Sequence, residues 1–246
     1  MSVAEKLVAV AENQEKVFEA GRKSEYDEFW DLFQENGKRT DYSNTFWKGF
    51  TNVNFKPKYS MSPTVAANMF WGSKIKGDLE QILEDSGITL DFSKATDIRY
   101  LFSQAQFTVV PELDFTSVNT SNSAYYQAVF GWNNTIETVR KVILPSDGSM
   151  GFNYWFSSAV KLKNIVFEGV IGRDVDFSAC PLSVESMINI ITHLAEYRDT
   201  ENCLKYTVKF SDSCWEALEN SEYDVRDYFA QGDSWRGGCD YIGWNT

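Results

Sequence analysis

Apolar and polar positions alternate with a helical period over the first 36 residues. Val3, Leu7, Val10, Gln14 and Val17 are spaced alternately four and three apart, the pattern of a coiled-coil seam. Glu12, Glu15, Lys16 and Glu19 flank it as a solvated face, and Ser2 with Glu5 forms a capping-box pair at its start. A second run, Tyr26, Phe29, Trp30 and Phe33, keeps the helical period until Asn36-Gly37, with Lys38 and Arg39 behind it, supplies a stop. So narrow a stripe has two readings: it packs this helix on its own domain, or it joins two or three chains, with the polar Gln14 fixing their register. From residue 40 to 60 the chain is aromatic without a period, and Lys56-Pro57-Lys58 interrupts any helix there.

Between residues 63 and 167 the pattern becomes one of recurrence. A helical or turn segment ending in an aromatic ring is followed by a small polar turn, and then by a short apolar strand. The anchoring rings are Phe70, Phe102, Phe130 and Phe156, separated by 32, 28 and 26 residues. The strands are expected at Ile88–Phe92, Glu112–Phe115, Lys141–Leu144 and Asn164–Phe167. Asp-Phe-Ser/Thr recurs at Asp91, Asp114 and Asp176, where each carboxylate is expected to accept backbone N–H groups at a turn. Units of this length with one short strand each predict a solenoid, in which every unit buries its apolar face on its neighbours. Its core is expected to be Phe70, Phe102, Phe130, Phe156, Phe92, Phe115, Phe167 and Phe177. Beyond it, Ser183–Leu194 reads as an amphipathic helix, Tyr206–Phe210 as a strand, Cys214 to Leu218 as a helix start, and Tyr241–Trp244 as a last strand.

The repeat pattern and its Asp-Phe-Ser turns resemble the irregular, aromatic-rich leucine-rich repeats of BspA type. The arrangement is more similar still to small repeat proteins encoded by phages and prophages of gut Firmicutes. The residues carrying that resemblance are Ala4-Glu5-Lys6-Leu7, Ala11-Glu12-Asn13, Lys16–Gly21, Glu25–Asp31, Phe55–Tyr59 and Ile165–Gly172. The chain departs from the family's pattern from about Tyr223 onward. The resemblance implies an α+β repeat fold: a short, irregular leucine-rich-repeat-like solenoid over 63–178. A helical stalk (1–37) and an aromatic-rich linker or N-terminal cap (38–62) precede it, and an α+β cap (179–246) follows. It further implies a non-enzymatic recognition, adhesion or structural subunit of a virion, tail-associated. Alternatives are a bacterial surface adhesin and, further off, a glycan-acting hydrolase. Expected partners are the chain itself through Val3, Leu7, Val10, Gln14 and Val17, other virion proteins, or a bacterial surface glycan or protein.

Composition sharpens this picture at three points. The 246 residues include 18 Phe, 12 Tyr and 8 Trp but only 13 Leu, so phenylalanine takes the packing role leucine has elsewhere. A net charge of −12 argues against wrapping a nucleic-acid backbone, which needs clustered cations. No apolar run is long enough to span a membrane, and no apolar leader follows Met1.

Candidate chemistry is sparse. His193 is the single histidine, no nucleotide or nucleophile-elbow motif occurs, and no cofactor or metal ligand set is expected. Cys180, Cys203, Cys214 and Cys239 lack C-x-x-C spacing, and without a leader they are expected to be reduced, buried thiols. Asn119 and Asn133 match glycosylation sequons and are read as chance. Tyr125, Tyr126, Trp132, Trp155 and Trp235 are either core rings or an exposed aromatic patch for carbohydrate.

Overall fold

The computed structural model describes residues 28–194 and 208–223. The seam Val3–Val17, Trp235, Cys203, Cys239, Tyr206 and the Tyr241–Trp244 strand lie outside the described residues.

Four strands form one parallel sheet in chain order: β1 (Gly77–Asp78), β2 (Phe107–Asp114), β3 (Thr138–Ile143) and β4 (Asn164–Glu168). Leu113 pairs with Val142 and Val142 with Phe167, so the buried side chains of neighbouring strands stand side by side. Strand β4 alternates strictly, with Ile165 and Phe167 inside and Asn164, Val166 and Glu168 outside, as the two-residue period of a strand requires. The strand expected at Ile88–Phe92 is reduced to a single bridge between Leu90 and Met61.

Parallel strands need a return path between them, and here the return paths stack as well. Tyr42, Asn44, Phe46 and Lys48 donate their N–H groups to the carbonyls of Val65, Ala67, Met69 and Trp71. Ala66, Asn68, Phe70 and Gly72 donate to Asp97, Arg99, Leu101 and Ser103, and Ile98 to Gln104 continue the ladder onto Tyr125 to Gly131. Ala128 and Trp132 then donate to Asn153 and Ser157.

Each of these stretches is a double turn, not a helix. Two residues four apart hold positive φ in every copy: Asn44 and Lys48, Asn68 and Gly72, Tyr100 and Gln104, Ala128 and Trp132, Tyr154 and Ser158. Left-handed backbone breaks a right-handed helix wherever it falls. The stretch 40–60, which has no period as a sequence, thus carries the same turn as the copies after residue 63.

The turn fixes which side chains point inward. Tyr42, Ala66, Ile98, Tyr126 and Phe152 occupy one equivalent position and are all buried. So are Thr45, Met69, Leu101, Val129 and Trp155 at a second, and Phe46, Phe70, Phe102, Phe130 and Phe156 at a third. The third set stacks ring on ring: Phe70 on Phe102 at 5.5 Å and 6°, Phe102 on Phe130 at 5.9 Å and 5°. Phe46 extends the column at one end, and Phe156, Phe177 and Phe210 at the other. Phe92, Phe115 and Phe167 are buried beside it.

The two ends are closed differently. Helical residues 28–33 lay Trp30 and Phe33 on Phe46 and Phe50. The helix gives way to a 3-10 turn, Glu35–Gly37, in which Asn36 and Gly37 take positive φ. Gln34, fully buried, accepts from the N–H groups of Lys58 and Tyr59 and donates to the Tyr59 carbonyl. A short helix α1 (Leu79–Glu84), capped by Asp78, follows β1.

At the far end α2 (Val184–Thr192) lies along β4, with Ser183 as its N-cap. Ser186 Oγ accepts from Ile165 N–H, and the Asn189 amide both accepts from and donates to the Phe167 backbone. A side-chain cover of this kind removes an open sheet edge. Strands β5 (Val175–Phe177) and β6 (Val208–Phe210) form a separate parallel pair, and α3 (Asp212–Glu219) packs its Trp215 on Phe210. The pairing of β5 with β6 joins chain on either side of residue 178.

Candidate functional site

The turns that bury three positions turn most of the residues of positive φ outward, Ala128 alone among the ten being buried. In the first row Asn44 and Asn68 are polar, whereas Tyr154 is a ring left 64% exposed. In the second row Lys48 and Gln104 are polar, whereas Trp132 is a ring left 45% exposed. Trp132 and Tyr154 stack face to face with centroids 6.3 Å apart and planes 19° from parallel. At the opposite end of the rows Trp47 stacks on Trp71 at 5.5 Å, and the Lys48 ammonium lies 4.5 Å from the Trp71 centroid. A cation over an indole face is attracted by the ring's negative quadrupole.

The aromatic patch expected from sequence is corrected accordingly. Trp155 and Tyr126 belong to the core, because they occupy positions that are buried in every copy of the turn. The Trp155 ring packs on Phe115, Phe130 and Phe152, and its Nε1–H donates to the Tyr126 carbonyl. Tyr125 is half-buried, with the Arg99 guanidinium 5.4 Å from its centroid. Of the patch only Trp132 is exposed among the described residues. Sequence reading missed its partner Tyr154 and the Trp47–Trp71 pair. Their signal was a ring standing where some other copies carry a small or polar residue such as Asn44, Gln104 or Ser103.

Next to Tyr154 lies a groove of ≈ 820 Å³. The stretch from Phe152 to Ser158 forms one wall, and Asp174, Asp176, Ser178 and Lys209 line the other. Lys209 Nζ stands 3.8 Å from Asp176 Oδ2, and Asp176 Oδ1 accepts from the N–H and hydroxyl of Ser178. Among the described residues no further turn with two left-handed residues follows Ser158.

The remaining candidates have structural partners. Asp91 and Asp114 accept from the backbone N–H two residues on, as Asp176 does. Asn133 is buried, with its amide bonded to Phe102, Ala105, Thr135 and Ile136, so it is closed to glycosylation in the fold. His193 ends α2, with Nδ1 at 2.7 Å from the Asn189 carbonyl. Cys180 and Cys214 are free and buried, and burial pushes the Cys180 thiol up to about 12. On the outer sheet face Lys141 bridges Glu112 and Glu168, whose carboxylates hold its ammonium above the usual range. No group of three or more acidic, His or Cys side chains among the described residues is arranged to hold a metal ion. No helix among them is long and apolar enough to cross a membrane.

No family model, curated protein or solved structure matches the chain.

Proposed function

We propose that this protein is a short, irregular leucine-rich-repeat-like solenoid that acts by binding, as a recognition or adhesion subunit of a phage or prophage virion. The observation that carries the binding reading is the pair of rows of left-handed residues, most of them facing outward, held in register over five successive turns. A hydrogen-bonded ladder behind such rows fixes their spacing, so contacts of modest strength are preorganised along one edge. The virion placement is supported by the resemblance of Ala4–Gly21, Phe55–Tyr59 and Ile165–Gly172 to phage-encoded repeat proteins. A bacterial surface adhesin would use the same edge from a different location. Asp174 and Asp176 on one groove wall keep a glycan-acting hydrolase as a further reading, since such enzymes work with two carboxylates.

Two measurements test the proposal. Fluorescently labelled protein should bind Gram-positive cells saturably, and mass spectrometry of purified phage particles should find the chain in fixed stoichiometry. Absence from particles overturns the virion placement. Turnover of a wall glycan that Asp176→Asn abolishes would replace binding with hydrolysis.

A further inference from the structure

The geometry points to a carbohydrate site in the groove beside Tyr154, in which a neutral pyranose stacks on the phenol ring as the next member of the Trp132–Tyr154 pair. The inference rests on the binding-protein reading above and names its ligand class and its place.

Three features converge. First, Tyr154 is 64% exposed and lines the groove, and it stacks on Trp132, which is not part of the groove. Second, the groove's ≈ 820 Å³ falls within the roughly 300–1,000 Å³ of small-molecule sites. Third, its wall offers both kinds of hydrogen-bonding partner. Asp176 accepts, the Lys209 ammonium donates, and the Asn153 amide and the hydroxyls of Ser158 and Ser178 do both.

That combination suits a pyranose. Its axial C–H face is apolar and packs on an aromatic ring, and its hydroxyl rim donates and accepts at once. Other ligands fit less well. A nucleic acid would bring phosphates to carboxylates in a chain of net charge −12. An apolar peptide would strip water from Asp176 and Lys209 without replacing their hydrogen bonds.

The test is calorimetric titration of the full chain with three probes: chitotetraose, cellotetraose and a lysozyme digest of peptidoglycan. Saturable heat with at least one probe is expected. Tyr154→Ala should weaken that binding by about tenfold or more, the usual cost of truncating an aromatic anchor. Tyr154→Trp should retain it, and Asp176→Asn should weaken it less than Tyr154→Ala. Because Tyr154 is largely exposed, its truncation leaves the core column intact, and an unchanged near-ultraviolet spectrum verifies this. No saturable heat with any probe overturns the site, as does binding that Tyr154→Ala leaves unchanged. Cell or particle association that survives Tyr154→Ala retains the binding reading and removes only this groove.

Discussion

At the scale of single residues, the turn imposes two opposite demands, rings inside and left-handed backbone outside. Phe102 meets the first. It is fully buried, stacked on Phe70 and Phe130, and edge-on to Phe107. Phe102→Ala removes the ring and leaves a cavity that neighbours bonded to the ladder cannot collapse into. A loss of about 3–5 kcal/mol is expected in urea denaturation. Gly72 meets the second demand, with φ at +62° and the Lys48 side chain 3.1 Å from where a Cβ would stand. Gly72→Val should cost about 1–3 kcal/mol in the same assay, because a β-branched residue is strained there.

The buried and turn carboxylates give a pH dependence with two signs. Hydrogen bonds hold four described aspartates below the usual carboxylate range: Asp31 chiefly through Lys58, Asp41 through the Ser43 hydroxyl, Asp91 through the Ser93 backbone N–H, and Asp147 through the Ser149 hydroxyl. Their stabilisation is complete above the unfolded value near 3.9 and is lost as pH falls through their lower folded values. Asp97 runs the other way: burial outweighs the bonds from Arg99 and raises its carboxyl. Its contribution is complete below the unfolded value and declines as pH rises through the raised one. Urea midpoints should therefore drop steeply below about pH 4. Asp97→Asn should remove the decline just above that range and leave the acid limb in place.

At the scale of elements, α2 is an edge cover as much as a helix. Asn189 satisfies both backbone groups of Phe167 on the last strand of the sheet. Asn189→Ala should cost about 1–3 kcal/mol, the penalty of an orphaned backbone donor. It should also raise light scattering on storage, because a parallel edge is freed for pairing.

Elements were legible in the sequence to the degree that they repeat or are capped. The helix expected over Ser183–Leu194 was visible from its apolar period, and the structure forms it over Val184–Thr192 with Ser183 as its N-cap. The four phenylalanines from Phe70 to Phe156 were visible because their order of neighbours recurs, although their spacing does not. Phe46 escaped because no long strand separates it from Phe70, so its segment lacks the parts that identify the later copies. The outward rings escaped for a different reason. Left-handed backbone at Tyr100, Trp132 and Tyr154 follows from the ladder across turns, a non-local constraint with no glycine to announce it. As a sequence position Trp155 suits either environment, because a tryptophan ring packs in a core or stands on a surface. Only its equivalence to Met69, Leu101 and Val129 decides the matter.

At the scale of the whole molecule, the proposal treats the chain as a stalk followed by a recognition edge. If Val3, Leu7, Val10, Gln14 and Val17 form a seam between chains, light scattering will give a particle mass above the 28.1 kDa of one chain, and Val10→Asp will return it to that value. A monomer at micromolar concentration would remove the seam and leave the edge to act singly. Joined copies would present several edges at once, and avidity would then follow from their spacing.

The ladder between turns has a consequence for how such a chain can change. Tyr42 reaches Val65 but Ala66 reaches Asp97, and the longer path holds β1 and α1 without disturbing the next pair in the ladder. Insertions and deletions are therefore absorbed behind the turn while the edge keeps its phase. A lineage under pressure to alter what it touches can exchange the exposed positions of the rows one by one. It can also lengthen or shorten the paths between them, and neither kind of change asks the phenylalanine column to move.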